Sequence, residues 1–185
     1  MLYVPTFRDK ELGTWVYRAG LREMAQALAA RGDALLVNLH PLDQPEQPQL
    51  QRRYPEVRFV REKSDLYPLL REVDLLVTDY SSLMFDYLPL ARPLLFYRPD
   101  HRQYVDESRP LYDAKVRELP GAVCESLPAL VAALQSDFAA LDAPYAAVRE
   151  ALTARLFDRV DDQASARVAQ LIEDELARAL AGTNA

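Results

Sequence analysis

Glycine is scarce in this chain, five among 185 residues, and neither G-x-G-x-x-G nor a Walker lysine motif can be assembled from them. A dinucleotide or ATP phosphate loop of the usual kind is thereby excluded. Cysteine occurs once, at Cys124, which rules out an internal disulfide and any cysteine-rich metal cluster and fits a reducing compartment. The two histidines, His40 and His101, are few for nitrogen ligation, and Asp100, Asp106 and Asp113 lack the close spacing of a calcium loop. The expectation is therefore no metal and no cofactor. No G-x-S-x-G elbow supports hydrolase chemistry. No apolar run approaches the roughly 18 residues of a membrane span, and no signal-peptide pattern opens the chain, so any membrane contact would be peripheral. A net charge of −6 argues against broad nucleic-acid binding, which needs a basic footprint. Lysine is rare against arginine; arginine suits phosphate recognition, although a genome-wide coding bias produces the same composition.

Half of the residues are hydrophobic and 27% are charged, the balance of an ordinary globular protein. The length fits one domain over 1–185 with a helical extension at 157–185. Short apolar runs alternate with helical patterns. Leu2 to Thr6 reads as a strand ending at a Pro-Thr turn, and a helix follows from Leu12 to Ala30, with Leu21, Met24, Ala25 and Leu28 on one face. Ala34 to Leu39 is a buried strand ending at His40-Pro41. Further strands are expected at Val57–Val60, Leu75–Thr78, Leu94–Tyr97 and Val123–Cys124, with helices at Leu66–Arg71 and Ser81–Leu88. Pro99 to Pro120 reads as a long loop. Ser126 caps a helix carrying Leu127, Leu130, Val131 and Leu134. Two helices finish the chain, Pro144–Leu156 and Asp162–Leu180, the second with Val168, Leu171, Ile172 and Leu176 inward. The alternation implies an α/β fold, a parallel sheet flanked by helices, because parallel strands need crossover connections. Ligands of such sheets sit beyond the carboxyl ends of the strands. Thr6, His40, Asp79 and Tyr97 fall there.

The corner richest in chemistry is Leu75-Leu76-Val77-Thr78-Asp79-Tyr80-Ser81-Ser82. An apolar run stops at Thr78-Asp79, and two adjacent hydroxyls then open an amphipathic segment. A strand feeding a helix start in this way presents backbone N–H groups and hydroxyls to an anion. The plainer reading is that Asp79 or Ser81 merely caps the helix. His40 is either a hydrogen-bonded strand-end residue or a donor or acid toward a phosphate. Thr6-Phe7-Arg8 can turn a hydroxyl and a guanidinium toward the same edge, although one arginine is more often a solvated surface charge.

Taken together, Tyr3-Val4-Pro5-Thr6-Phe7-Arg8, Leu39-His40-Pro41, Ser64-Asp65-Leu66-Tyr67, Thr78-Asp79-Tyr80-Ser81-Ser82 with Phe85-Asp86-Tyr87, Arg92 to Tyr97 with Pro99-Asp100, and Tyr104 resemble the C-terminal half of the CDP-glycerol glycerophosphotransferases. Those are the teichoic-acid and capsule polymerases. Pro120-Gly121 and Asp161 to Arg167 extend the likeness, which covers about residues 2–172. The resemblance implies a Rossmann-like lobe, the C-terminal one of a GT-B-type glycosyltransferase with its C-terminal helices. It implies a donor-binding site of Thr6, Arg8, His40, Asp79, Ser81 and Ser82, with His40 also the catalytic candidate and no metal. The implied reaction moves glycerol phosphate, or another polyol phosphate, from a CDP-linked donor to a polymer or lipid-linked acceptor. The implied setting is the cytoplasm, at the inner face of the bacterial plasma membrane. The family's first lobe carries a W-H-G-x-P-x-K-type segment with the usual candidate base, and these 185 residues contain none. The chain alone is therefore expected to be inactive without an N-terminal lobe, in cis or in trans. Arg109-Pro110 replaces a more usual Arg-Gly. Two alternatives stay open: a related GT-B transferase using a CMP- or UDP-linked donor, and a non-catalytic nucleotide-binding or interaction module.

Overall fold

The structure, a computed structural model, describes residues 1–10, 14–107 and 118–182. Six strands, β1 (Leu2–Val4), β2 (Leu36–Val37), β3 (Arg58–Phe59), β4 (Leu76–Thr78), β5 (Leu94–Tyr97) and β6 (Ala122–Cys124), form one sheet in the order β3-β2-β1-β4-β5-β6. Every pairing is parallel, with Tyr3 opposite Val37 on one side and Val77 on the other. The order reverses between β1 and β4. That is the switch point at which doubly wound sheets open a crevice for ligands.

Side chains alternate across the pleat, so the central strands β1, β2, β4 and β5 feed two cores. Tyr3, Val37, Leu75, Val77, Leu95 and Tyr97 pack with α1 (Trp15–Arg18), α2 (Leu21–Ala29), Leu50 of α3 (Gln47–Arg53) and Leu130 and Leu134 of α7 (Leu127–Gln135). Leu2, Val4, Leu76, Leu94 and Phe96 pack on the other face with Leu70 of α4 (Tyr67–Leu70) and with Met84 and Tyr87 of α5 (Leu83–Tyr87). The central strands are therefore buried on both sides, which is why they read as short, nearly continuous apolar runs.

Several elements differ from the sequence expectations. The first long helix is two: Gly20, at φ +80°, breaks it, and a Cβ there would lie 2.4 Å from Leu127 Cδ1. Its expected start at Leu12 lies outside the described residues. Within the expected loop Pro99–Pro120, His101–Glu107 forms a helix, α6; Arg109-Pro110 and Asp113 lie outside the described residues. Ser126 caps α7 as expected, its Oγ accepting from the Ala129 N–H at 3.3 Å. A further short helix, α8 (Phe138–Asp142), precedes α9 (Ala146–Leu156). Tyr97 does not reach the ligand edge. It is 2% exposed and packs in the core near Tyr3, because it is still in register with Cys124 inside β5.

The chain divides into two compact units, Met1–Thr153 and Ala154–Ala185. The second contains α10 (Ala164–Gly182), led in by Asp161, whose carboxylate accepts from the Gln163 N–H and from Arg167. Val168, Leu171, Ile172 and Leu176, expected to face inward, are 55–58% exposed. One helix has no second layer of its own unit to bury its stripe. Among the described residues no helix is long and apolar enough to cross a membrane.

Candidate functional site

The carboxyl ends of β1, β2 and β4 open into a cleft of about 610 Å³ lined by Thr6, Phe7, His40, Ser81 and Ser82, with Asn38, Tyr67, Asp86 and Tyr104 among the other contributors. Each strand delivers its residue the same way. An apolar run ends and the backbone leaves the sheet within a few residues, through Pro5 and Thr6 after β1, Asn38 to His40 after β2 and Asp79 to Ser82 after β4.

Ser81 and Ser82 follow β4 after Asp79 and Tyr80. The Ser81 hydroxyl oxygen accepts from the Leu83 N–H at 3.2 Å, leaving its own proton for another acceptor. Ser82 occupies the N-cap position of α5 without making a side-chain cap bond and is exposed. Because α5 is only five residues long, its dipole is weak, and the donors this corner presents are hydroxyls and local N–H groups. His40 rests its ring on Phe7, centroids 4.3 Å apart. Its Nδ1 accepts from the Leu42 N–H at 3.2 Å. A ring that accepts at Nδ1 carries its proton on Nε2, so neutral His40 is a hydrogen-bond donor at that atom.

Thr6 lines the same cleft but its hydroxyl proton is committed. Its Oγ1 donates to Asp79 Oδ1 at 2.7 Å, and its N–H contacts both carboxylate oxygens at 2.9 and 3.1 Å. Asp79 is fully buried and also accepts from the Tyr80 N–H at 2.6 Å and from Arg8 Nη1 at 3.0 Å. Burial pushes the Asp79 carboxyl above its ordinary value, and the Arg8 guanidinium and the Thr6 hydroxyl oppose that push. Arg8, 4% exposed, holds Asp100 with Nε at 2.6 Å and Nη2 at 3.1 Å. Arg8 and Asp79 thus lie beneath the cleft and bond to each other, while Thr6, His40, Ser81 and Ser82 line it.

Sequence reasoning missed the aromatic wall. The rings of Tyr80 and Tyr104 stack at 3.7 Å and 11°, and both line the cleft. Tyr104 belongs to α6, which no local pattern announced. Asp86 and Tyr67 carried only the family-like blocks around them as a signal. Among the described residues, no three of the His, Cys, Asp and Glu side chains are grouped so as to hold a metal ion.

The sequence and the fold have known counterparts. Residues 1–174 match the model of the CDP-glycerol:poly(glycerophosphate) glycerophosphotransferase family. A teichoic acid glycerol-phosphate transferase of Staphylococcus aureus (strain NCTC 8325 / PS 47) is 34% identical over 93% of this chain. A teichoic acid ribitol-phosphate primase of Bacillus spizizenii (strain ATCC 23059 / NRRL B-14472 / W23) is 32% identical over 95%. The chain spans about 44% of the length of each. A solved structure of the wall teichoic acid polymerase TagF superposes with a TM-score of 0.80 at 26% identity, covering 97% of this chain and 44% of that one. A UDP-GlcNAc 2-epimerase from Methanocaldococcus jannaschii, 11% identical with a TM-score of 0.51, shares the fold alone. With agreement over residues 1–174 in sequence and over 97% of the chain in backbone, this chain belongs to the CDP-glycerol:poly(glycerophosphate) glycerophosphotransferase family.

Proposed function

We propose that this chain is the donor-binding half of a polyol-phosphate transferase, and that its cleft holds the diphosphate of a CDP-linked polyol such as CDP-glycerol. The observation that carries the reading is the gathering of Thr6, His40, Ser81 and Ser82 around one cleft at the switch point of the sheet. The relatives' names supply the substrate class: they are a teichoic acid glycerol-phosphate transferase and a ribitol-phosphate primase, and a TagF variant was soaked with CDPG.

In the proposed reaction an acceptor hydroxyl forms a P–O bond to the polyol-bearing phosphorus. The anhydride bond breaks, CMP departs with the electron pair, and the hydroxyl proton passes to a base on another lobe of the transferase. Negative charge grows on the bridging oxygen. The Ser81 and Ser82 hydroxyls and the His40 Nε2–H meet that charge with donors positioned before the reaction, and such donors lower the barrier without reorganising. His40 acts here as a hydrogen-bond donor through Nε2, not as the base, because its Nδ1 lone pair is occupied by the Leu42 N–H. The acceptor is a polyol-phosphate polymer or its lipid-linked primer, met peripherally at the inner face of the plasma membrane.

Isothermal calorimetry of the purified chain with CDP-glycerol, CDP-ribitol, CMP and UDP tests the reading. CDP-polyols should bind, and Ser81→Ala with Ser82→Ala should weaken them by about 1.5–3 kcal/mol, the range for hydrogen bonds to charged groups. Absence of CDP-polyol binding by the wild-type chain, or an unchanged affinity in the double variant, overturns the cleft assignment.

A further inference from the structure

Beneath the cleft, Arg8 bridges two carboxylates from distant parts of the chain. Nη1 reaches Asp79 at the end of β4 and the Thr6 carbonyl. Nε and Nη2 grip Asp100, which immediately precedes α6, in a two-point fork. The guanidinium lies 4.4 Å from the Trp15 ring centroid, 4.8 Å from that of Tyr104 and 5.1 Å from that of Tyr80. Asp100 does more than accept the fork. Its carboxylate takes the Tyr80 hydroxyl at 3.3 Å, and its carbonyl takes the Tyr104 N–H at 2.9 Å in the first turn of α6. One residue therefore fixes both rings of the aromatic wall.

The charge arithmetic matters. One guanidinium faces two carboxylates, so its positive charge is more than neutralised where it sits, and all three of its nitrogens are engaged. A phosphate arriving above it would meet no available fork. The geometry points to a different role: we infer that Arg8 and Asp100 are positioning residues, an ion-paired strut that sets the Tyr80–Tyr104 wall and Thr6 in place for the donor. This deepens the reading of the cleft as a donor site and rests on it. A planar, two-point fork suits the task because it fixes orientation as well as distance, which a lysine ammonium does not.

The strut and the alternative, Arg8 as a phosphate ligand, predict opposite signs for one substitution. Asp100→Asn removes a negative charge from Arg8. If Arg8 binds phosphate, the freed guanidinium tightens CDP-glycerol binding; if it is a strut, binding weakens by about tenfold as the fork and the wall loosen. Arg8→Lys keeps the charge, loses the fork and should weaken binding by a similar factor. Asp142→Asn, which breaks a buried ion pair away from the cleft lining, serves as the control and should leave affinity unchanged. Trp15, the chain's one tryptophan, gives a readout that needs no ligand. Acrylamide quenching of its fluorescence should rise in Asp100→Asn and Arg8→Lys and stay at the wild-type level in Tyr104→Leu. Tyr104→Leu should still weaken binding, because the wall itself is cut. Tighter or unchanged binding in Asp100→Asn, or wild-type affinity in Tyr104→Leu, overturns the strut. If the wild-type chain binds no CDP-glycerol while quenching still rises in the strut variants, the donor assignment fails and the strut's structural half stands. Unchanged quenching with normal wild-type binding removes the strut alone.

Discussion

Thr6 Oγ1 lies 2.7 Å from Asp79 Oδ1 and ties the end of β1 to the end of β4 across 73 residues of chain. Those two strands flank the switch point, so the bond closes the floor of the cleft. Thr6→Val keeps the shape and removes one donor from a fully buried carboxylate. The expected cost is about 1–3 kcal/mol of stability, the penalty for leaving a buried polar group short of a partner. Thr6→Ser should retain most of it. Urea denaturation of both variants with an unchanged slope checks this; equal midpoints for Val and wild type would show that the hydroxyl bond is not needed.

His40 offers a separate test of the donor role. His40→Phe preserves the packing against Phe7 and removes the Nε2–H. Affinity for CDP-glycerol should fall by about 1.5–3 kcal/mol while the unfolding midpoint changes little. An unchanged affinity by calorimetry returns His40 to a purely structural role at the end of β2.

Gly121 precedes β6 at a point of very close approach. A Cβ there would sit 2.1 Å from the Leu94 carbonyl oxygen, and a backbone atom of β5 cannot move aside cheaply. Gly121→Ala should separate β6 from β5 and destabilise by about 1–3 kcal/mol or more, the cost of overpacking. Circular dichroism melting that matches the wild type would contradict the register at this edge.

The parallel sheet was legible because its strands are short apolar runs separated by crossovers, a pattern set by burial on both faces. Thr6, His40, Ser81 and Ser82 were legible for the same reason, since strand ends in such sheets meet at one edge. What stayed hidden was set by long-range pairing. The segment after Pro99 reads as a loop, yet Asp100 is held by Arg8, 92 residues earlier, and α6 begins there. Arg8 itself reads as a phosphate ligand until its two carboxylates are seen to converge on it. Tyr97 reads as a strand-end residue, but β5 runs one residue too far for it to leave the core. On α10 the helical period was plain, whereas the burial of its apolar stripe depends on neighbours the period does not encode.

Cys124 is 4% exposed, and burial pushes its thiol above the ordinary value. The native thiolate fraction is therefore lower than that of an unfolded cysteine at the same pH, and the thiolate is the nucleophile. Labelling by a disulfide reagent at pH 8 should be at least about tenfold slower in native protein than in denaturant. The linked effect on stability has a definite sign. The contribution is full below the unfolded thiol's pKa and is lost as pH rises toward the higher folded value. Labelling at equal rates in the two states would refute the burial.

Arg149 and Asp142 form a further buried ion pair, with side chains 5% and 12% exposed. Nη1 donates to Asp142 Oδ1 at 2.7 Å and Nη2 to its Oδ2, while Nη1 also reaches the Pro120 carbonyl at 3.3 Å. The fork thereby fastens α9 and the end of α8 to the residue that precedes Gly121 and β6. Replacing the pair by apolar groups of equal volume can be neutral, but removing one partner leaves a buried charge uncompensated. Asp142→Ala should therefore cost about 3–5 kcal/mol, more than Asp142→Asn, which keeps an acceptor for one N–H. The double variant Arg149→Met with Asp142→Leu should recover most of the loss. Chemical denaturation of the three variants reads the difference, and a double variant as unstable as Asp142→Ala would mean that shape, not charge, fastens this edge.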